Sequence, residues 1–134
     1  MLAALLLALQ PTPALDVFGD WRIPPEADGG PTRGIVRIAP DRDPDNEIED
    51  GTPVGTIHRV GAAYANDPDA GDALGLRIVW GFEANEDRWK GGRILDPEAD
   101  RTYRANIRRD GDALAVEGCL AFICREQTWT RVAE

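Results

Sequence analysis

The fold is decided by one stretch of the chain, Trp89-Lys-Gly-Gly-Arg-Ile-Leu-Asp-Pro-Glu-Ala-Asp-Arg-Thr-Tyr103. Its adjacent glycines, Gly91 and Gly92, allow a bend or a bulge within a β pattern. Asp96-Pro97 starts a polar turn, because proline presets φ and an aspartate side chain can bond its own backbone. Residues 102–109 then alternate between apolar and polar side chains, as in a half-buried antiparallel strand. The stretch therefore predicts a β-hairpin.

The rest of the chain predicts six more short strands, joined mostly by turns rich in Gly, Pro and Asp. Their ranges are 17–23, 33–39, 53–60, 76–83, 113–118 and 123–132. Which side of the strand 53–60 faces inward stays open. Eight short strands predict an all-β fold, an eight-stranded up-and-down antiparallel barrel closed by its first and last strands, because closure removes exposed sheet edges. Such a barrel is either filled by side chains or holds one small ligand.

The N-terminal segment, residues 1–14, is typical of a signal peptide. An apolar run from Leu2 to Leu9 is followed by prolines and small residues ending at Ala14. The run is too short for the roughly 20 apolar residues of a spanning helix, so no membrane insertion is expected. No Lys or Arg follows Met1, which leaves a mis-assigned start or a buried helix as the alternative. Residues 15–134 are then one domain, periplasmic or secreted.

The composition excludes some partners. The formal net charge is −9 and the sequence pI is near 4.6. Nucleic acids and anionic membrane surfaces both require a basic face that neutralises phosphates. We therefore expect neither of these partners, and the sequence does not identify a protein partner.

The two cysteines, Cys119 and Cys124, allow a physical test of their spacing. On one continuous strand they would lie about 16 Å apart, whereas a disulfide tolerates Cα separations only up to about 7 Å. If bonded, they must face each other across a turn. Export favours a disulfide, and two cysteines without a nearby histidine supply too few ligands for a zinc site.

Catalytic groups are scarce. His58 is the single histidine and the chain has no serine, which excludes a Ser-His-Asp triad. The acidic run 41–47 has the alternate spacing of a calcium loop, but Asn46 and Thr52 occupy the positions that need a glycine and a bidentate glutamate. We therefore expect no catalytic residue, no metal and no cofactor. A small hydrolase or isomerase remains a minor alternative.

Gly19-Asp20-Trp21 resembles the Gly-x-Trp signature of the lipocalins and the wider calycin barrels. In those proteins an arginine from the last strand lies across the tryptophan, and Arg131 is the matching candidate here. Trp129 and Arg131 share one side of that strand.

The chain as a whole is similar to a bacterial family of small exported proteins known as domain of unknown function 2147. The resemblance extends over stretches at 19–21, 55–57, 66–69, 75–82, 89–97, 102–103 and 118–131. It implies a lipocalin-like barrel, exported to the periplasm or beyond, with no established activity. The chain departs from the family pattern in a short Ala- and Gly-rich loop before Gly75 and in Leu95, where an aromatic residue is common.

These patterns lead to two functional hypotheses. The first is a non-enzymatic exported barrel that binds a small apolar or amphipathic molecule inside, with Trp80 and Tyr103 near the mouth and Arg93 or Arg104 as an anion anchor. The full candidate ligand set is Trp80, Phe82, Trp89, Arg93, Tyr103 and Arg104. The expected structural set is Gly19, Trp21, Gly91, Gly92, Asp96, Pro97, Trp129 and Arg131. The alternative is an envelope protein-interaction module with a filled, ligand-free core, in which the aromatic residues are plain core.

Overall fold

The computed structural model describes residues 13–42 and 51–133. Its strands are β1 (Gly19–Ile23), β2 (Gly34–Pro40), β3 (Pro53–Val60), β4 (Arg77–Trp80), β5 (Glu83–Asn85), β6 (Arg88–Asp96), β7 (Arg101–Asp110), β8 (Ala113–Leu120) and β9 (Ile123–Arg131). Short 3-10 helices span Pro13–Leu15, Ala62–Tyr64 and Ala70–Ala73. None of the helices in these two ranges has the length and apolar character that crossing a membrane requires.

The strands form a closed antiparallel barrel. Strands β1 to β4 pair in sequence, as do β6 to β9. The sheet closes on itself because β1 also pairs with β9 and β4 also pairs with β6, while β5 extends one edge as a hairpin with β6. Eight strands therefore surround the interior. The predicted barrel, joined through its first and last strands, is confirmed.

The predicted strand 76–83 is divided in two. Gly81 has a φ of +80°, which breaks the extended backbone between β4 and β5. The register between β3 and β4 also shifts between Gly55 and Thr56, so Ile78 has no regular partner. As a result the consecutive residues Ile78 and Val79 are both buried. This bulge reverses the facing of the next residue, Trp80, which pairs with Arg93 on the outer face.

A second bulge lies at Gly91 and Gly92, where the register between β6 and β7 shifts. Gly91 has a φ of +71°, and its N–H donates to Asn106 Oδ1 at 2.9 Å. Gly92 is buried, and a Cβ there would overlap the ring of Phe82. Beyond the bulge, Asp96 Oδ1 accepts hydrogen bonds from the N–H groups of the two residues after Pro97, which fixes the turn into β7.

Trp21 closes one end of the barrel, which we call the floor. Its side chain is fully buried, and Nε1 donates to the Val17 carbonyl at 2.9 Å. The guanidinium carbon of Arg131 lies 5.5 Å from the Trp21 ring centroid, and Trp21 and Arg131 are register partners. Arg109 lies over the same ring at 5.9 Å. The floor thus joins β1, β7 and β9.

The helix Pro13–Leu15 packs beneath this floor. Trp89 Nε1 donates to the Leu15 carbonyl at 2.9 Å, and Arg109 Nη1 donates to the Asp16 carbonyl at 3.0 Å. The predicted boundary after Ala14 falls within this helix. The rest of the predicted signal peptide lies outside the described residues, as does most of the acidic run 41–47.

The core follows the alternation of the strands. Ala105 and Ile107 of β7 are buried, as are Leu114 and Val116 of β8. The open question about β3 is resolved, because Gly55 and Ile57 face inward while His58 is exposed. The remaining buried apolar side chains of the interior are Val17, Trp21, Val36, Ile38, Ile78, Val79, Phe82 and Trp129.

A disulfide joins Cys119 to Cys124 across the turn between β8 and β9. The two residues are register partners, with a Cα–Cα distance of 4.0 Å. Only Leu120 to Ile123 lie between them, so the bond holds a very short hairpin tip.

Candidate functional site

A cavity of about 870 Å³ occupies the end of the barrel opposite the floor and opens to solvent there. It is lined by residues from the ends of β1, β3, β6 and β8, and from the starts of β4, β7 and β9. The segment 64–73 and the turn after Asp96 contribute to its edge. We call this open edge the mouth. The antiparallel topology brings these segments together, because it places alternate strand ends at the same end of the barrel.

The walls of the cavity are largely apolar. They are formed by branched aliphatic side chains of β1, β3, β4, β6, β8 and β9. The members are Ile23, Ile57, Val60, Ile78, Ile94, Leu95, Leu120 and Ile123. The ring of Trp129, which is almost fully buried, is the innermost cavity residue of β9. A hollow with such walls attracts apolar groups because it removes their surface from water.

One polar cluster interrupts these walls. Gln127 Oε1 accepts a hydrogen bond from Trp129 Nε1 at 3.1 Å and another from Arg33 Nη2 at 3.2 Å. Arg33 Nε also donates to the Pro24 carbonyl at 2.8 Å, which fixes the guanidinium in the cavity wall. Arg33 forms no ion pair with any carboxylate of the described residues. The cluster therefore presents positive charge and N–H donors.

Carboxylates lie at the mouth, and most of them have local partners. Asp67 Oδ1 accepts the N–H of Asp69, and Asp96 Oδ1 accepts the two turn N–H groups described above. Glu98 interacts with Tyr64. These carboxylates therefore stabilise the loops around the mouth.

Tyr64 and Glu98 line the mouth from two different loops. Tyr64 belongs to the helix Ala62–Tyr64, whereas Glu98 belongs to the turn between β6 and β7. Burial, together with a hydrogen bond to Glu98 and the negative charge of that carboxylate, raises the pKa of Tyr64 to about 12. The positive charge of Arg33 opposes this rise in the pKa of Tyr64.

The hairpin tip between β8 and β9 adds an apolar rim to the mouth. We use "apolar rim" for Leu120, Phe122 and Ile123, of which Phe122 is 90% exposed. Leu120 and Ile123 also line the cavity, so the rim continues its apolar walls outward. Arg104 Nη2 donates to the Ala121 carbonyl at 3.3 Å and ties the tip to β7.

Among the candidate ligand residues, Tyr103 lines the cavity. Phe82 packs in the core against Gly92, and Trp89 bonds to Leu15 at the floor. Both therefore lie outside the cavity lining, to which β6 contributes only residues beyond the bulge, from Ile94 onward.

The other three candidates, Trp80, Arg93 and Arg104, lie on the outer face, and none of them lines the cavity. Arg77 stacks on Trp80, with its guanidinium carbon 4.7 Å from a ring centroid. Neither Arg93 nor Arg104, the two residues expected to anchor an anion, lines the cavity. The bulges at Ile78 and at Gly91-Gly92 reverse the facing that simple alternation predicts for Trp80 and Arg93, whereas Arg104 faces outward because it is next to the inward residue Tyr103.

Sequence reasoning missed the polar cluster. Gln127 could have been found, because it shares the facing of Trp129 and Arg131 on β9. Arg33 lies just before β2, and its inward position depends on contacts with Pro24 and with Gln127, which is 94 residues away. No local pattern marks such a contact.

Comparisons with known proteins support the fold. A family model described as "Uncharacterized protein conserved in bacteria (DUF2147)" matches residues 19–131. A solved structure, protein HP1028 from Helicobacter pylori, which belongs to the lipocalin family, matches with a TM-score of 0.57 at 9% sequence identity. That match covers 90% of this chain and 85% of the other. No curated protein matches the sequence.

Proposed function

The chain belongs to the DUF2147 family of uncharacterized bacterial proteins, and from this premise we propose that it is a binding protein for a small apolar or amphipathic molecule. The ligand occupies the barrel cavity and enters through the mouth. The lipocalin-like fold is compatible with this role, because an eight-stranded barrel can enclose one small ligand.

The observation that carries the proposal is the cavity itself. Small-molecule sites are concave, mostly apolar hollows of about 300–1,000 Å³ with a few polar groups that orient the ligand. The cavity measures about 870 Å³ and combines aliphatic walls with one polar cluster. A barrel whose interior were completely filled would lack such a space.

The alternative, a protein-interaction module, gains its main support from the apolar rim. Exposed apolar patches often mark interaction surfaces. Here, however, the patch lies beside an open cavity and two of its residues line that cavity. A module would need the patch beside a filled core, so the rim is better explained as the entrance to the binding site.

Binding is favoured over catalysis by the residues that meet in the cavity. A catalytic site needs a nucleophile with its base, a carboxylate pair with raised pKa, or a metal set. Among the described residues the cavity lining contains no serine, cysteine or histidine that could act as a nucleophile with its base, its carboxylates lie at the mouth, and His58 is exposed on the outside of β3. The polar cluster instead has the composition of a recognition site.

The disulfide bears on the compartment in which the protein acts. Disulfides persist in oxidising environments such as the bacterial periplasm and the extracellular space, and are rare in the cytosol. We therefore place this binding function in the periplasm or outside the cell.

The experiment that tests the proposal uses a neutral apolar probe, N-phenyl-1-naphthylamine, whose fluorescence rises in apolar surroundings. We expect saturable binding by the native protein. Gly118→Leu should weaken it, because Gly118 lines the cavity and a larger side chain there would occupy part of the hollow. The control is Thr128→Leu, which adds a similar apolar side chain on the exposed outer face of β9.

Thr128→Leu should bind the probe as the native protein does. Absence of saturable binding, or equal binding by Gly118→Leu, would contradict the proposal. Native mass spectrometry of protein purified from the periplasm would complement the probe, since a small molecule that co-purifies with the native protein and not with Gly118→Leu identifies the ligand.

A further inference from the structure

From the polar cluster we infer the chemical class of the ligand: an amphipath with an anionic head, such as a carboxylate, which binds inside the cavity at Arg33 and Gln127 while its apolar tail extends toward the apolar rim. This inference rests on the proposed binding function and adds the head group and its orientation. It depends on the hydrogen-bonding capacity of the cluster.

The orientation of the Gln127 amide is fixed by its neighbours. An indole N–H and a guanidinium can only donate hydrogen bonds. Both donate to Gln127, so the atom that receives them must be the amide oxygen. The Gln127 amide N–H groups then point away from Arg33 and Trp129, and they have no acceptor among the described residues. They remain as free donors on a side chain that lines the cavity.

Arg33 supplies the charge. Its Nε and Nη2 are held by Pro24 and Gln127, whereas Nη1 has no acceptor in the described part of the chain. A guanidinium that is partly removed from water and lacks an anionic partner is unfavourable, and a bound carboxylate would offset that cost. The groups of the cluster that remain available are all hydrogen-bond donors. A ligand group that accepts hydrogen bonds therefore fits the cluster, whereas a ligand ammonium group does not.

The distribution of charge sets the direction of the ligand. On β9 the inward row runs from Ile123 at the mouth through Arg125 and Gln127 to Trp129. The carboxylates of Asp67, Asp69, Asp96 and Glu98 lie at the mouth. An anionic head is repelled by these carboxylates and attracted by Arg33 and Arg125. It is therefore most stable inside the cavity, past the carboxylates of the mouth. The tail then contacts the aliphatic walls and the apolar rim.

The test compares three probes that share one twelve-carbon tail: dodecanoate, dodecanol and dodecylamine. Binding is measured by displacement of N-phenyl-1-naphthylamine at neutral pH. For the native protein we expect dodecanoate to bind most tightly. Arg33→Met should weaken the binding of dodecanoate by about tenfold or more, because charge-assisted hydrogen bonds contribute at about this level. The affinity for dodecanol should stay nearly unchanged.

The matched control is Arg22→Met, which removes an exposed arginine on the outer face of β1. It should change neither the affinity for dodecanoate nor the affinity for dodecanol. Gln127→Glu supplies a second variant, because the new carboxylate neutralises Arg33 from within the cluster without removing it. Gln127→Glu should also weaken the binding of dodecanoate more than that of dodecanol. It keeps the test decisive if Arg33→Met fails to fold.

A spectroscopic readout locates the head directly. In a ¹⁵N-labelled sample, the Gln127 side-chain amide resonances should shift on addition of dodecanoate and much less on addition of dodecanol. If all three probes bind equally to the native protein and to Arg33→Met, the inferred head group is wrong while the binding function stands. If N-phenyl-1-naphthylamine itself does not bind, the binding function fails, and this inference fails with it.

Discussion

Tyr64 is a weaker acid than a free tyrosine because its burial, and then Glu98 in the turn between β6 and β7, raise its pKa. Its pKa is raised to about 12 by burial and by Glu98, compared with an ordinary value near 10. The folded state therefore favours the protonated phenol. This contribution to stability is complete below about pH 10 and is lost as the pH rises toward 12.

The prediction for Tyr64 is a delayed ionisation. In an ultraviolet titration at 295 nm, one of the two tyrosines should ionise near pH 12, and the late transition should be absent in Tyr64→Phe. Glu98→Gln should lower the pKa of Tyr64, because it removes the negative charge. A native protein whose tyrosines both ionise near pH 10 would show that the two loops do not meet.

Gly92 is predicted to tolerate no side chain. A Cβ at this position would overlap the Phe82 ring and approach the Trp80 carbonyl, so Gly92→Ala should lower the free energy of unfolding by about 1–3 kcal/mol. The control is Gly71→Ala, because a Cβ at Gly71 meets nothing within 4 Å. Urea denaturation measures both variants. Equal stability of the two variants would contradict the packing described for Gly92.

Whether the sequence predicts the facing of a residue correctly depends on the strand register around that residue. Tyr103 and Trp129 keep the facing that alternation gives them, because β6 and β7 pair regularly between Gly92 and Asp96 and β9 pairs with β8 without a bulge. Trp80 follows a bulge at Ile78, and no glycine or proline at that point announces it. Arg33 is positioned by distant partners. Alternation is therefore reliable only where the strand register is regular.

At the level of elements, the predicted strands and hairpins correspond well to the observed ones, because turn residues mark their ends. Asp110-Gly111 joins β7 to β8, and the turn that begins at Asp96 joins β6 to β7. The division between β4 and β5 was not predicted. Gly81 lies within an otherwise apolar alternation, and a single glycine is compatible with both a continuous and an interrupted strand.

The β8–β9 hairpin depends on its disulfide. For so short a loop we expect replacement of both cysteines by alanine to lower the free energy of unfolding by about 2 kcal/mol. Thermal unfolding of the native protein with and without dithiothreitol provides the measurement. The double variant serves as the control, since the reductant should not affect it. A native protein that is equally stable in both conditions would rule out a stabilising role for this bond.

At the level of the whole molecule, the two ends of the barrel have separate tasks. The floor joins the first and last strands through Trp21 and Arg131, whereas the cavity and its polar cluster lie at the other end. Stability and binding should therefore respond to different substitutions. This separation could not be read from the sequence, because it depends on which side chains fill each half of the interior.

The prediction concerns Arg131→Met. Loss of the cation–π contact and of the hydrogen bond from Arg131 Nη1 to the Phe18 carbonyl should lower the free energy of unfolding by about 1–2 kcal/mol. The affinity for N-phenyl-1-naphthylamine should stay close to that of the native protein, since the substitution is at the floor. Arg22→Met again supplies the control. A large loss of affinity with unchanged stability would contradict the division between the two ends.

The position of the last strand has a practical consequence. Strand β9 starts at the mouth and ends at Arg131 beside the floor, and Val132 bonds back to Asp20 there. A tether attached beyond Val132 would hold the barrel by its sealed side and leave the entrance facing the solution. Protein immobilised through this end on a sensor chip should therefore capture small molecules as freely as protein in solution, whereas attachment through a cysteine replacing Phe122 should obstruct them.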